Sequence, residues 1–277
     1  MFNGLVINPA YAGTRDMLTT SLTYRNQWTG FEGAPVTQML TAHSPILKQK
    51  MGVGLMLFND KIGVSKETGI YTNFAYRARL SKGFISMGIG AGISIINANW
   101  SSVGLQDQTD QVFIYDTERS VQPNFSAGAY YKQDKFYLGI SMPFMMSYQF
   151  DHEKNNYNAI YEADENNYVL TGGAIIKLSS DVVLKPSTLI RYAPNSGAQI
   201  DLNTNVVLKD SFWFGLSYRT EDAIVGMFEY QVNDQWRIGY SYDLGISEIA
   251  AYHGGSHEIL LQYEFSYKTS STNPRYF

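Results

Sequence analysis

Cysteine is absent from the 277-residue chain, and charged side chains are scarce, at 17% of all residues. The lack of cysteine excludes disulfide bonds, thiolate metal sites and cysteine nucleophiles. Average soluble domains carry roughly 25% charged residues, so this chain is unusually uncharged. Its net charge of −4 provides no positive surface for a polyanion, and nucleic acid is therefore not expected as a partner.

Long apolar runs are missing as well. No stretch of about 18 consecutive apolar residues occurs, which argues against a transmembrane helix. The mean hydropathy of −0.21 is still compatible with membrane-spanning strands, because half of the side chains of such strands are polar. Residues 1–13, MFNGLVINPAYAG, lack the basic and long apolar regions of a signal peptide. We expect either that the numbering begins at a mature or truncated start or that the chain is not exported.

Alternation of apolar and polar side chains with a period of two runs through the whole chain. Successive side chains of a strand point to opposite faces, so this alternation predicts strands with one apolar and one polar face. About fourteen strands are predicted, near residues 17–28, 36–44, 51–59, 67–80, 84–96, 123–132, 136–145, 167–178, 182–192, 199–208, 212–219, 223–232, 236–244 and 256–267. In the last of them the apolar face carries Ile259, Leu261, Tyr263 and Phe265.

The connections between these strands differ in length according to their parity. From the fourth onward, the even-numbered connections are short turns, at residues 81–83, 133–135, 179–181, 209–211 and 233–235. The odd-numbered connections can be long, notably 98–122, 147–166 and 245–255. In an up-and-down meander this places all short turns at one end, as in outer-membrane barrels. A soluble two-sheet sandwich is the alternative, but it gives no reason for such sorting.

The predicted fold is therefore all-β, a single transmembrane antiparallel up-and-down barrel of about fourteen strands. We divide the chain into an N-terminal segment at 1–16, a barrel at 17–268 and a tail at 269–277. A barrel of this size has a lumen wider than its inward side chains fill, and the apolar N-terminal segment is costly to leave in water. We expect this segment to pack in or against the lumen, through the residues Asn8, Pro9, Ala10, Tyr11 and Gly13. Glycines at 88–92 on one face of the fifth strand indicate close approach of another segment.

Charged residues on the predicted inner faces need water or partners in the lumen. Because the last two strands form a hairpin, we expect Arg237 to contact Glu264. The full set of predicted lumen charges is Arg25, Arg77, Arg79, Arg237, Glu258 and Glu264.

No catalytic or cofactor motif accompanies this pattern. His253 and His257 could hold a metal, but such a pair is more often explained by loop polarity near an interface, and neither a metal site nor a cofactor is predicted. Acidic residues of the two longest loops could hold calcium or attract a basic partner, but their spacing fits no EF-hand, and a solvated loop is the default explanation. Residues of these loops chosen as candidate partner contacts are Trp100, Asp107, Asp110 and Tyr161.

Several stretches resemble the PorP/SprF family of type IX secretion system outer-membrane proteins. The most specific is the opening MFNGLVINPAYAGTRD, at residues 1–16. WTGF at 28–31, GVGLMLFNDKIG at 52–63, the glycine-rich fifth strand and the terminal NPRYF at 273–277 are also similar. Other outer-membrane barrels with hydrophobic ligands carry Asn-Pro-Ala near the start as well.

The resemblance implies a non-enzymatic protein of the cell outer membrane, in contact with its lipid and active in secretion or gliding motility. Its partners would be the C-terminal domain of a secreted adhesin, periplasmic components of the secretion system, or both. Two alternatives come from other classes: a transporter or channel for hydrophobic or small solutes, and an outer-membrane phospholipase or protease. The second would need Ser, His and a carboxylate clustered at one rim.

Overall fold

A computed structural model gives the structure of the protein and describes residues 3–100, 119–151, 156–160 and 166–265. Seventeen strands occur in this part of the chain, and fifteen of them form one sheet. Their bounds are β1 Leu18–Asn26, β2 Val36–Ile46, β3 Met51–Ile62, β4 Ser65–Arg79, β5 Phe84–Ala98, β6 Ser120–Lys132, β7 Phe136–Met142, β8 Ser147–Asp151, β9 Asn156–Ile160, β10 Tyr168–Ala174, β11 Ile176–Lys177, β12 Val182–Ala193, β13 Gly197–Leu208, β14 Phe212–Arg219, β15 Ala223–Gln231, β16 Trp236–Gly245 and β17 Ser256–Phe265.

The large sheet is a closed antiparallel barrel. Strands β1 to β7 pair in sequence, β7 pairs with β10, and β10 pairs with β12, which begins the second run of neighbours from β12 to β17. Pairing of β1 with β17, from Leu18 with Phe265 to Asn26 with His257, joins the two runs. Strands β10 and β11 both pair with β12 and together form one barrel strand that is interrupted at Ile175. The fifteen strands of the sheet therefore make a barrel of fourteen strands among the described residues. The predicted fold class and strand count are confirmed.

Side chains alternate between the two faces of the wall as the period of two predicts. Large apolar residues such as Leu22, Ile89 and Leu216 lie exposed on the outer face, where lipid would surround them. Their neighbours along the strands are small or polar and are buried on the inner face, for example Ser21 and Ser217. The wall is therefore apolar outside and polar inside, as membrane barrels require.

The two ends of the barrel differ. Turns of three or four residues join the strands at one end, which we call the turn end, and the longer connections all lie at the opposite loop end. The connection at 147–166, predicted as a loop, contains the separate hairpin β8–β9, which the sequence did not reveal because each of its strands is only five residues long. The 3-10 helices of the described residues are Gly4–Val6, Pro9–Tyr11 and Glu248–Tyr252. Among the described residues, no helix is long and apolar enough to cross a membrane.

A charge placed on the outer face at the middle of β17 tests this orientation. Leu261, which is 39% exposed and pairs with Leu22 of β1, lies near the centre of the wall. We expect Leu261→Arg to destabilise the barrel in lipid vesicles, lowering its free energy of unfolding by about 2 to 4 kcal/mol. Tyr252→Arg, on a loop, is the control and should leave that free energy nearly unchanged. Equal stability of the two variants in a denaturant titration would contradict the orientation.

Candidate functional site in the barrel lumen

The N-terminal segment folds into two short turns inside the barrel. Each 3-10 helix begins after an asparagine whose side chain accepts a backbone hydrogen bond: Asn3 Oδ1 from the N–H of Leu5 at 3.1 Å, and Asn8 Oδ1 from that of Ala10 at 2.9 Å. Proline at position 9 starts the second helix, where its missing N–H costs nothing. The Asn-Pro-Ala run is thus a capped helix start.

Hydrogen bonds fasten this segment to strands on one side of the lumen. The Asn8 amide donates to the backbone oxygens of Ala129 and Ile140, at 3.1 and 3.3 Å. Ser86 Oγ donates to the oxygen of Ala10 at 2.7 Å, and the N–H of Gly13 donates to His43 Nδ1 at 3.1 Å. The segment therefore lies against β2, β5, β6 and β7, and its predicted location in the lumen is confirmed.

Glycines in the wall make room for this backbone. A Cβ added to Gly52 would lie 2.0 Å from the oxygen of Ala12, and one added to Gly88 would lie 2.2 Å from the nitrogen of Ala10. The predicted approach of another segment is thus found at Gly88, whereas Gly90 and Gly92 make room for side chains of the wall itself. Side chains at positions 52 and 88 would push the N-terminal segment away from the wall.

An apolar cluster stabilises the segment further. Leu5, Ala10, Tyr11 and Ala12 are buried together with Tyr130 of β6 and Ala75 of β4. The ring of Tyr11 stands edge-on to those of Tyr130 and His43, with centroids 5.6 Å apart in each case. Burial of these side chains provides the main gain of free energy for docking.

Two ion pairs hold the point where the segment enters β1. Arg15 forms a buried salt bridge with Glu264 of β17, and Asp16 lies 3.0 Å from Arg77 of β4. The sequence predicted Arg237 as the partner of Glu264. Both lie on the inner face as expected, but Arg237 pairs with Glu229 at 3.3 Å, because the neighbouring strand β15 presents a carboxylate beside it. Arg15 was missed because nothing in the sequence places residue 15 beside residue 264.

The other predicted lumen charges are divided between the lumen and the rim. Arg25 bridges Asp243 at 2.6 Å and Glu258 at 3.0 Å near the loop end. Arg79, the last residue of β4, continues the inward row of Ala75 and Arg77. It is exposed at the turn end and donates to Gln49 at 3.2 Å, so it lies at the rim of the inner face.

A cavity of about 200 Å³ lies between the N-terminal segment and strands β10 and β12 to β16. The wall of this cavity is rich in charged side chains, in contrast to the apolar cluster that packs around the N-terminal segment. The ionisable side chains other than tyrosine that line it are Arg15, Lys185, Arg191, Glu229 and Arg237. Of these, only Arg237 was predicted, although Lys185 and Glu229 occupy inward positions that the strand alternation could have identified.

Three connections at the loop end are tied to one another, and we call them the loop platform: residues 27–35, 63–64 and 246–255. The N–H of Thr29 donates to the oxygen of Gly255, and the N–H of Gly254 to that of Thr29, both at 2.8 Å. The N–H of Gly63 donates to the oxygen of Gly33, also at 2.8 Å. Large apolar residues exposed on or beside this platform are Phe31, Ile62, Ile246 and Tyr252.

The remaining predicted contact and metal residues are placed as follows. Asp107, Asp110 and Tyr161 lie outside the described residues, and Trp100 is partly buried at the loop end. His257 Nδ1 lies 2.7 Å from the hydroxyl of Tyr240 on the outer face, while His253 accepts from the N–H of Gly255 at 2.9 Å. The part of the chain that the structure describes contains no group of three or more His, Asp or Glu able to hold a metal.

Comparison with known proteins shows what the chain is similar to. The model of one protein family, described as type IX secretion system membrane protein PorP/SprF, matches residues 1–263. No curated protein matches the chain. Similar solved structures are the Acinetobacter baumannii outer membrane protein Omp33 (6% identity, 91% of this chain and 100% of that chain, TM-score 0.54), the Ralstonia pickettii toluene transporter TbuX (8%, 93% and 91%, 0.55) and the P. putida toluene transporter TodX (10%, 97% and 95%, 0.52). At these identities the likeness concerns the fold alone.

Substitution of a wall glycine tests the packing of the N-terminal segment. Gly88→Ala should lower the free energy of unfolding by about 1 to 3 kcal/mol through overpacking, and should make residues 1–14 accessible to added protease. Gly226→Ala is the matched control, since a Cβ at that outward position meets no described atom within 4 Å. Identical stability and protease resistance in both variants would contradict the packing.

Removal of one charge tests the buried salt bridge of Arg15. Glu264→Gln leaves that guanidinium buried without its carboxylate, so we expect a loss of about 3 to 5 kcal/mol in denaturant titration. Glu258→Gln should cost less, because Arg25 keeps Asp243 as its partner. An equal or smaller loss for Glu264→Gln would show that the bridge does not hold the segment.

Proposed function

The chain belongs to the PorP/SprF family of type IX secretion system membrane proteins, and we propose that it is a non-enzymatic barrel that binds a protein partner. In this proposal it assists the secretion or surface anchoring of a large adhesin by binding the adhesin's C-terminal domain. Periplasmic components of the same system are further partners, at the turn end of the barrel. Outer-membrane lipid surrounds the wall.

The loop platform is the observation that carries the proposal of a partner at the loop end. Hydrogen bonds between its three connections fix their backbones before any partner arrives, which lowers the entropy cost of association. Tyr252 is 72% exposed, and an amphipathic ring held in this way is typical of residues that dominate protein interfaces. Phe31, from the neighbouring connection, adds a second exposed ring.

The lumen supports binding over conduction. The N-terminal segment fills the side of the lumen next to β2 to β7, where it is bonded to the wall. A polypeptide segment that is docked in this way narrows the path for a solute.

A transporter for hydrophobic solutes is the alternative, because TbuX and TodX are both described as toluene transporters. Charged side chains line the cavity on the other side of the lumen, including Lys185, Glu229 and Arg237. A hydrocarbon placed there would desolvate these groups without giving them hydrogen bonds, at a cost of several kcal/mol. The cavity therefore suits a polar occupant better than an aromatic hydrocarbon.

The proposal is tested by purification from outer membranes in mild detergent, followed by mass spectrometry. We expect a secreted adhesin to copurify with the whole chain, and its recovery to fall at least fivefold for the double variant Phe31→Ser and Tyr252→Ser. Leu178→Ser, at an exposed apolar residue of the turn end, is the control and should keep full recovery. Bound hydrophobic small molecules would favour the transporter, and a barrel recovered alone with open-pore conductance would contradict both functions.

A further inference from the structure

Two buried hydrogen-bond donors on the wall of the cavity lack acceptors. Trp213 and Arg237 are each only 3% exposed, and both line the cavity. Trp213 Nε1 and Arg237 Nη2 have no hydrogen-bond partner among the described residues. A buried donor without an acceptor costs about 1 to 3 kcal/mol, so these positions favour an occupant that accepts hydrogen bonds.

The orientation of Arg237 is fixed by its other contacts. Its Nε donates to Gln231 at 3.0 Å, and its Nη1 donates to Glu229 at 3.3 Å. Its guanidinium carbon lies 4.3 Å from the centroid of the Trp213 ring, so the two side chains are stacked. The two donors without acceptors therefore belong to neighbouring side chains that both line the cavity.

Lys185 supplies a cation to the same cavity. It lies on β12, lines the cavity, and makes no hydrogen bond or ion pair with any described residue. The neighbouring cations are balanced, since Arg15 pairs with Glu264 and Arg191 lies 3.7 Å from Asp201. Glu229, the carboxylate among the lining residues, is already bound to Arg237. The cavity thus carries an excess of positive charge at Lys185.

We infer that this cavity binds the carboxylate group of a small organic ligand. A carboxylate offers two oxygens with about four acceptor sites, which suits an ammonium, a guanidinium nitrogen and an indole N–H together. The volume of about 200 Å³ is more than ten times the roughly 10 to 15 Å³ that one water molecule needs. The carboxylate comes from a free acid or from the end of a peptide chain. This site is independent of the partner at the loop platform.

Titration of the purified whole chain in detergent tests the site, with nitrogen-15 labelled indoles as reporters. Succinate is the probe for a free acid, and succinamide is its neutral match. We expect the Trp213 N–H resonance, assigned with Trp213→Phe, to shift in a saturable manner with succinate and to remain unchanged with succinamide. Lys185→Gln should weaken succinate binding at least tenfold, whereas Lys82→Gln, on an exposed turn at the turn end, should leave it unchanged.

Further ligands identify the source of the carboxylate. A shift with triglycine but not with triglycine amide supports the inference and assigns the site to a chain terminus. Tighter binding of inorganic phosphate than of either acid overturns the assignment to a carboxylate. An unshifted Trp213 resonance with every acid, or equal effects of Lys185→Gln and Lys82→Gln, overturns the site itself. Lys185→Met provides a second variant if Lys185→Gln does not fold.

Discussion

The structure depends on one constraint: each backbone N–H and C=O group inside the bilayer must be hydrogen-bonded within the protein. Inside a bilayer an unpaired N–H or C=O costs several kcal/mol, so a spanning sheet must have no free edge. The chain meets this constraint at two seams, where β1 pairs with β17 and β10 pairs with β12. Closing the sheet fixes the number of barrel strands, and that number sets the width of the lumen.

The width of the lumen explains the role of the N-terminal segment. Inward side chains of a barrel this wide do not fill its interior, and an apolar segment that begins next to β1 is well placed to do so. Glycines of β3 and β5 admit its backbone, and Arg15 and Asp16 hold it by ion pairs with the wall. The result is an asymmetric interior, apolar and packed on the side of β2 to β7 and charged on the side of β12 to β16.

This asymmetry separates the two proposed binding surfaces. The loop platform presents exposed apolar side chains on connections that are hydrogen-bonded to one another at the loop end, and it suits a protein. The charged cavity lies between the N-terminal segment and strands β10 and β12 to β16, and it suits a carboxylate. Both proposals depend on the docked segment, because it narrows the path through the lumen and at the same time forms one wall of the cavity.

Much of the fold could be predicted from the sequence because a strand's period of two is a local property. The fourteen barrel strands and the outward face of β17 follow from it, whereas the location of residues 1–16 follows from their apolar character and from the width of the predicted lumen. Contacts that depend on distant residues could not be predicted in this way. Arg15 meets Glu264 only because the segment folds back into the lumen, and Arg79 lies at the rim rather than deep in the lumen because β4 ends there. The short strands of β8 and β9 were too brief for their alternation to be distinguished from a loop.

Cross-linking of the N-terminal segment to the wall tests the central claim most directly, and the absence of native cysteine makes it unambiguous. A Cβ at Gly54 would lie 2.9 Å from a methyl carbon of Leu5. The double variant Leu5→Cys and Gly54→Cys should therefore form an intramolecular disulfide in outer membranes under mild oxidation. Leu5→Cys with Ser217→Cys, on the inner face of β14, should not. Failure of the first pair to cross-link, with residue 5 open to a water-soluble maleimide, would contradict the docking of this segment in the lumen.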